Sequence, residues 1–457
     1  MHGRSYTYIM PSQLVYRPVY RLHSLQRFRT ASLAIVLLTL SSAGVVSGQT
    51  TPAGPAPNPT APDAPSPLPS PPPLPSPPPS PLPSPLGASE QARPASSTKR
   101  REGASIVEQL RAEAGQVRRL LECDGTKRWL FATNWLPFPR VRTVFWNQQK
   151  LEALTQSAFD ALTEVDRAGF APRELDDEYY YYTRYGSPLA YSRALDLLCK
   201  QLDCKECFVG KRLLDFGYGG IGHLRLLASA GSHVVGVDVD PLLQALYSDP
   251  QDTGVIEGVG MGENLAPDGS LKIVLGRWPK SERTIEEVGR GFDFIISKNT
   301  LKNGYIHPEK EVDKRMLVDL GVSDEQFLRS VAASLNVSGL FLIYNITPKQ
   351  STERYIPWAD GRSPFSREAF KAAGLEVLEF DKDDSQATRK LGLALEWDQG
   401  EQPMDLQNDL FATYTLVRKY PPTSAGGPRP LNASPQPSPQ PSPVPPAPPV
   451  PPPHPPQ

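Results

Sequence analysis

Net charge is the first thing this 457-residue chain lacks: 48 basic against 49 acidic residues leave −1. No overall field draws such a chain to DNA, RNA or an anionic membrane surface, so no nucleic acid is expected and small molecules or proteins are the expected partners. Acidic residues are missing altogether through Gln49. In that stretch Arg17, Arg21, Arg27 and Arg29 precede an apolar run, residues 31–40, and a small-residue region, residues 41–48. This is a secretory leader layout, with a cut expected before Gln49. The apolar stretch 31–46 is only just shorter than the ~17 residues a spanning helix needs, so an uncleaved membrane tether is a second reading. The Arg-rich, acid-poor composition admits a third, an organelle transit peptide. The chain is accordingly expected to be secreted, periplasmic or membrane-anchored, and organelle-targeted or cytoplasmic if the segment is no true leader.

Proline is scarce in the middle of the chain, and most of its 52 residues crowd towards the two ends. Residues 1–48 are read as signal peptide or anchor, and 49–100 as a disordered proline-rich linker of polyproline II character. Residues 421–457 form a similar disordered tail. The foldable middle divides into an N-terminal helical extension or lid, 101–200, and a domain over 201–420. Ile106, Leu110, Val117, Leu120 and Leu121 recur at helical intervals, and 148–165 and 189–202 read as further helices.

From residue 213 the pattern alternates. Strands are expected at 213–216, 233–237, 272–275, 292–297, 340–344, 376–380 and 412–418. Helices are expected at 223–230, 242–247, 324–335 and 366–373, the last with Ser366 as N-cap and Gly374 past its end. The fold class is α/β: a doubly wound, mainly parallel, seven-stranded Rossmann-like sheet.

The chemistry concentrates in Asp215-Phe216-Gly217-Tyr218-Gly219-Gly220-Ile221-Gly222 and in Val237-Asp238. Gly217 and Gly219 permit backbone conformations closed to other residues and let the chain approach a ligand without Cβ collisions. Asp215 ends one strand and would repel a pyrophosphate, whereas it favours an ammonium or sulfonium charge. Asp238 lies 23 positions later, near the ~20-residue spacing of an acid that accepts from ribose hydroxyls.

These residues resemble the first motif of the class I S-adenosylmethionine-dependent methyltransferases, commonly Asp-x-Gly-x-Gly-x-Gly. Residues 215–221 match three of its four fixed positions, with Ile221 where the last Gly is usual. The resemblance spans about residues 179–418 and implies S-adenosyl-L-methionine as cofactor, a small-molecule or protein methyl acceptor, and a ribose-binding role for Asp238. The acid that often ends the third strand in that family is absent, and Gly276-Arg277-Trp278 stands there, so backbone groups or stacking on Trp278 are expected to meet adenine.

Cofactor and acceptor should meet beyond the carboxyl ends of the strands, which makes the loop from Ser297 to His307 the expected substrate wall. Ser297 is assigned to the cofactor side with Tyr218. Lys298, Asn299, Tyr305 and His307 are the candidate acceptor-orienting or proton-accepting residues, His307 foremost for its near-neutral unperturbed pKa. The loop holds neither an Asn/Asp-Pro-Pro-Tyr/Phe pattern nor a cysteine, and both absences argue against nucleic-acid modification. The tyrosine-rich run 179–191 just upstream is expected to divide between packing and pocket lining.

Cys199, Cys204 and Cys207 cluster before the first of these strands, and Cys123 stands apart. In an oxidising compartment at least one bridge within the cluster is expected. Zinc would need Cys123 or a histidine as fourth ligand, and no metal site is assigned. Two other readings stay open at this stage: an NAD(P)-dependent oxidoreductase on a similar fold, disfavoured by Asp215, and a noncatalytic exported binding module acting through its proline-rich arms.

Overall fold

The computed structural model describes residues 104–183, 186–202, 207–260, 265–399 and 403–420. The expected leader, both proline-rich arms and Cys204 lie outside the described residues. No helix among those described is long and apolar enough to cross a membrane.

Eleven strands are described in chain order: β1 Arg142–Asn147, β2 Glu152–Thr155, β3 Ala171–Leu175, β4 Arg212–Phe216, β5 His233–Asp238, β6 Gly254–Ile256, β7 Gly269–Leu275, β8 Phe292–Lys298, β9 Leu335–Thr347, β10 Leu375–Asp383 and β11 Phe411–Lys419. The last eight form one sheet in the order β10-β11-β9-β8-β4-β5-β7-β6. Pairing is parallel from β7 through β5, β4 and β8 to β9 and antiparallel at β6, β10 and β11. All seven expected strands are present. The eighth, β6, is a three-residue edge strand with one buried side chain, too short to leave a hydrophobic period in the sequence.

Parallel strands carry helices on both faces, so their side chains must be apolar in both directions. Leu213, Phe294, Ile296 and Leu342 point into one core and Leu214, Ile295, Phe341 and Ile343 into the other, the two-residue alternation of an extended chain. The Asp324–Ser334 and Arg367–Ala372 helices cover the second face, the latter N-capped by Ser366 as expected.

The first face is covered from the N-terminal side. The Ile106–Val117 helix starts at Ser105 in a reciprocal capping box with Glu108, an arrangement that satisfies two otherwise unpaired amides. It buries Ile106, Val107, Leu110, Ala114 and Val117 in the same core as Leu391 and Leu395 of the Ser385–Ala394 region. Its apolar stripe therefore closes the core of the main domain.

The 148–165 stretch is not one continuous helix: a strand occupies Glu152–Thr155, and the helical part is confined to Gln156–Asp160 and Glu164–Arg167. Asn147 Oδ1 accepts from the amides of Gln149 and Lys150, both at 3.1 Å, and this local turn reverses the backbone. β2 then pairs back on β1, with β3 on the other side, as a three-stranded antiparallel sheet. Phe159, on the short Gln156–Asp160 helix, stacks on Phe145 of β1 at 3.8 Å. Cys199 and Cys207 form a disulfide with Cα atoms 5.5 Å apart, and Cys123 is a free thiol.

Candidate cofactor site

Strand order reverses at β4: the chain runs outward through β5 and β7, then returns to β8 on the other side of β4. Loops leaving β4 and β8 diverge there, and the crevice between them is where open α/β sheets bind ligands. Gly217 N donates to Val237 O at 2.8 Å and carries the β4–β5 ladder one residue past the strand. Gly217 and Gly219 then take φ of 76° and 60°, left-handed values that a side chain disfavours. Space matters as well. A Cβ on Gly217 would lie 2.3 Å from Thr300 Oγ1, so the β8 loop rests directly on the turn.

Asp238 closes the same turn from β5. Its Oδ2 accepts from Gly219 N at 3.1 Å, and its Oδ1 accepts from Val239 N at 2.7 Å and Asp240 N at 3.1 Å. Burial, reinforced by Asp240, pushes its carboxyl up to about 6 against the pull of those three amides. The next two amides are also taken: Gly220 N donates to Tyr218 O at 2.7 Å and Ile221 N to Tyr247 Oη at 3.1 Å. Beside Asp238, Val239 is 42% exposed and Leu275, its neighbour on β7, is 36% exposed. One acid and two bare aliphatic side chains thus share the strand tips.

Asp215 faces inward. It is fully buried, and its Oδ2 lies 2.5 Å from His223 Nε2; since a carboxylate can only accept, that nitrogen carries the proton. Burial holds His223 below its ordinary pKa, although Asp215 opposes the shift. Tyr191 stacks on the His223 ring at 3.6 Å, and Lys298 Nζ lies 5.0 Å from the centre of the Tyr191 ring. Burial draws Lys298 down to about 8, with Asp215 pulling the other way. Asp215 Oδ1 and Ser297 Oγ, on adjacent strand tips, are buried without a hydrogen bond among the described residues.

The remaining predicted residues separate into site and scaffold. Trp278 is 1% exposed and packs against Phe216 and Phe327; adenine stacking on it is corrected, because its ring is spent supporting the wall. Tyr218 turns its side chain into the core, where it fills the space beside Gly236. Asn299 takes φ of 64° and its Oδ1 accepts from Ile346 N at 2.7 Å, so it anchors the loop to β9. Tyr305 is buried beneath the Lys302 ammonium. His307 is half-exposed and paired with Asp324 at 2.7 Å, away from the buried Lys298 group in its contacts. The tyrosine run packs mostly inward: the carbonyls of Tyr181 and Tyr182 press on Gly222 and Gly220, and the Tyr182 hydroxyl donates to buried Glu113 at 3.1 Å. That close approach explains Ile221 as well, because it fills the core while Gly222 gives the backbone clearance.

Thr300, His223 and Tyr191 were not singled out by sequence reasoning. For His223 a signal existed: an imidazole in the first turn of the helix that follows the glycine turn, eight residues after the acid near the end of β4.

No family model matches the chain, and no curated protein matches it. Solved structures with a similar fold include the 4+2 cyclase SpnF, with 15% identity, 50% of this chain and 80% of that one covered, and a TM-score of 0.30. Others are the magnesium protoporphyrin IX methyltransferase ChlM from Synechocystis PCC 6803 with bound SAM (11% identity, 51% and 79% covered, TM-score 0.26) and a TehB-like SAM-dependent methyltransferase from Corynebacterium glutamicum ATCC 13032 Kitasato (16%, 48% and 84%, 0.23).

Proposed function

We propose that this chain is a class I methyltransferase that binds S-adenosyl-L-methionine at the tips of β4, β5 and β7 and transfers its methyl group to an acceptor held beyond β8. The observation that carries this reading is the closed turn. A dinucleotide draws on amides of the glycine turn as well as the helix start for its pyrophosphate, and here the turn amides of Gly219, Gly220 and Ile221 all donate internally, one of them to a carboxylate. What remains open suits a nucleoside without phosphate: Asp238 for ribose hydroxyls, and Val239 with Leu275 for the flat base.

The cofactor supplies an electrophilic methyl on a positively charged sulfur. When bound, it would give up that methyl to the acceptor's nucleophile, the carbon–sulfur bonding pair being left on sulfur. The chain's own residues align the partners and handle the acceptor's proton. Lys298, buried at the β8 tip and drawn down to about 8 by that burial, takes the proton role for which His307 was the foremost of four candidates. Asp215 acts at one remove: it fixes His223, on whose ring Tyr191 stacks beneath Lys298.

Isothermal titration with S-adenosylhomocysteine and with NAD tests this reading. The native chain should bind S-adenosylhomocysteine, Asp238→Ala should bind it at least about tenfold more weakly, a loss of roughly 1.4 kcal/mol, and NAD should not saturate. Equal binding by native and variant would discard the site, and preference for NAD would restore the oxidoreductase reading. The Cys199–Cys207 bridge supports an oxidising compartment for the mature chain, in keeping with the leader reading; cell fractionation that finds it reduced in the cytosol would remove that support.

A further inference from the structure

A cavity of about 490 Å³ opens beyond the carboxyl end of β9. Thr347, the last residue of β9, faces Phe411 at the start of antiparallel β11, so both belong to the edge of the sheet that carries Asp215 and Lys298. One loop serves both places. The segment after β8 lays Thr300 on Gly217 and, three residues on, Asn303 Nδ2 donates to Asp360 in the cavity wall at 2.9 Å. Strands β4 and β9 are separated only by β8, about 4.8 Å per strand step, and Thr347 lies three residues beyond the level of Gly217, so roughly 14 Å divides the glycine turn from the cavity mouth.

The cavity's charges are unequally engaged. Asp360 is consumed inside the wall: it accepts from Arg362 Nε and Nη2 at 2.8 Å each, and from Asn303 and Tyr355 at 2.9 Å each. Glu309 has one oxygen bound to Arg362 Nη2 at 2.6 Å. Against these, the Lys349 ammonium and the Thr347 and Thr413 hydroxyls make no hydrogen bond or ion pair among the described residues, and Arg362, ion-paired with both Glu309 and Asp360, keeps only Nη1 without a partner. Phe411 and Pro348 supply the apolar part of the lining. The unspent donors outnumber the one unspent carboxylate oxygen, and the volume falls in the range of about 300–1,000 Å³ usual for small-molecule sites.

We infer that this cavity is the acceptor subsite and that its ligand is a small organic carboxylate with an apolar or aromatic body. The carboxylate meets Lys349 and Arg362, the body lies against Phe411, and a hydroxyl or amino group at the far end reaches past β8 to receive the methyl and release its proton. This inference rests on the methyl-transfer reading for the role of the ligand, but not for its charge.

Ligand-observed NMR on the full chain, with and without S-adenosylhomocysteine, tests it. The probes are hydroxybenzoates and indole carboxylates, each measured beside its primary amide and the corresponding amine. The carboxylates should bind saturably, compete with one another, and bind at least about tenfold more tightly than amide or amine. Lys349→Glu should cost the carboxylates a similar factor, whereas Lys272→Glu, an exposed position on β7 four strands away from β9, should leave them unchanged. Binding of amides or amines as tightly, survival of binding in Lys349→Glu, or no carboxylate binding at all overturns the inference. If S-adenosylhomocysteine binds and the carboxylates do not, the anion site fails alone. If the carboxylates bind and S-adenosylhomocysteine does not, the anion site stands and methyl transfer falls.

Discussion

His223 Nε2 and Asp215 Oδ2 lie 2.5 Å apart in a region that excludes solvent from both side chains. Removing one partner of such a pair strands the other, at a cost of about 3–5 kcal/mol, whereas neutralising the acid while keeping its shape costs far less. His223→Ala should therefore lower unfolding free energy by roughly that amount, and Asp215→Asn by about half or less. Urea denaturation at neutral pH reads both. If His223→Ala loses under about 1 kcal/mol, the pair does not anchor the turn.

Gly217 and Thr300 make the contact between the two loops of the crevice. In Gly217→Ala, a left-handed φ costs about 1–2 kcal/mol and the overlap with Thr300 about 1–3 more. Thr300→Gly removes the overlap but not the dihedral cost. A double-mutant cycle should therefore give a coupling of about 1–3 kcal/mol, with the double variant still less stable than Thr300→Gly alone. Zero coupling would mean the loops are apart in solution.

The sheet and Asp238 were legible because each rests on a local rule. A two-sided apolar run predicts a buried parallel strand, and an acid at its end has nowhere to point but the strand tip. Asp215 obeyed the same rule in sequence and broke it in space: a histidine eight residues on, in the next helix, offered it a buried donor. Nothing in the spacing of Asp215 and Asp238 distinguishes the acid that faces the crevice from the one that faces the core. The 148–165 region failed for another reason. The Asn147 side chain captures two amides and turns the chain, β2 pairs back on β1, and only the short helices Gln156–Asp160 and Glu164–Arg167 follow. Thr300 and Arg362 acquire their roles only from contacts across the fold, at separations of 83 and 53 residues.

Asp238 gives the proposed site a pH dependence whose sign is fixed. Its folded pKa is raised to about 6, first by burial and then by Asp240, and the ionised form is the better acceptor for ribose hydroxyls. S-adenosylhomocysteine affinity should be flat above pH 7 and fall as pH drops through 6, by about tenfold at pH 5. Titrations at several pH values should show that fall for the native chain and none for Asp238→Asn. A native profile level from pH 5 to 8 would take Asp238 out of the ligand contact.

Glu113 predicts a pH-dependent stability that the cofactor site does not share. It sits inside the core between the Ile106–Val117 helix and the segment that presses on the glycine turn. Its Oε1 accepts from Gln109 at 2.9 Å and Tyr182 at 3.1 Å, and its Oε2 from Ser187 at 2.8 Å. Burial outweighs those three donors and lifts its carboxyl from 4.5 to about 7. The folded chain therefore holds a proton that the unfolded chain has released between these values, and unfolding free energy must fall as pH rises across that window, by a total on the order of 3 kcal/mol. A glutamine keeps the geometry: its oxygen accepts from Gln109 and Tyr182, and its amide donates to the Ser187 hydroxyl. Glu113→Gln should remove the fall, leaving the variant more stable than native at pH 8 and close to it at pH 4.5. Guanidinium melts at half-unit pH steps separate the two outcomes, and parallel curves for native and variant would show that Glu113 is ionised and solvated in the folded chain.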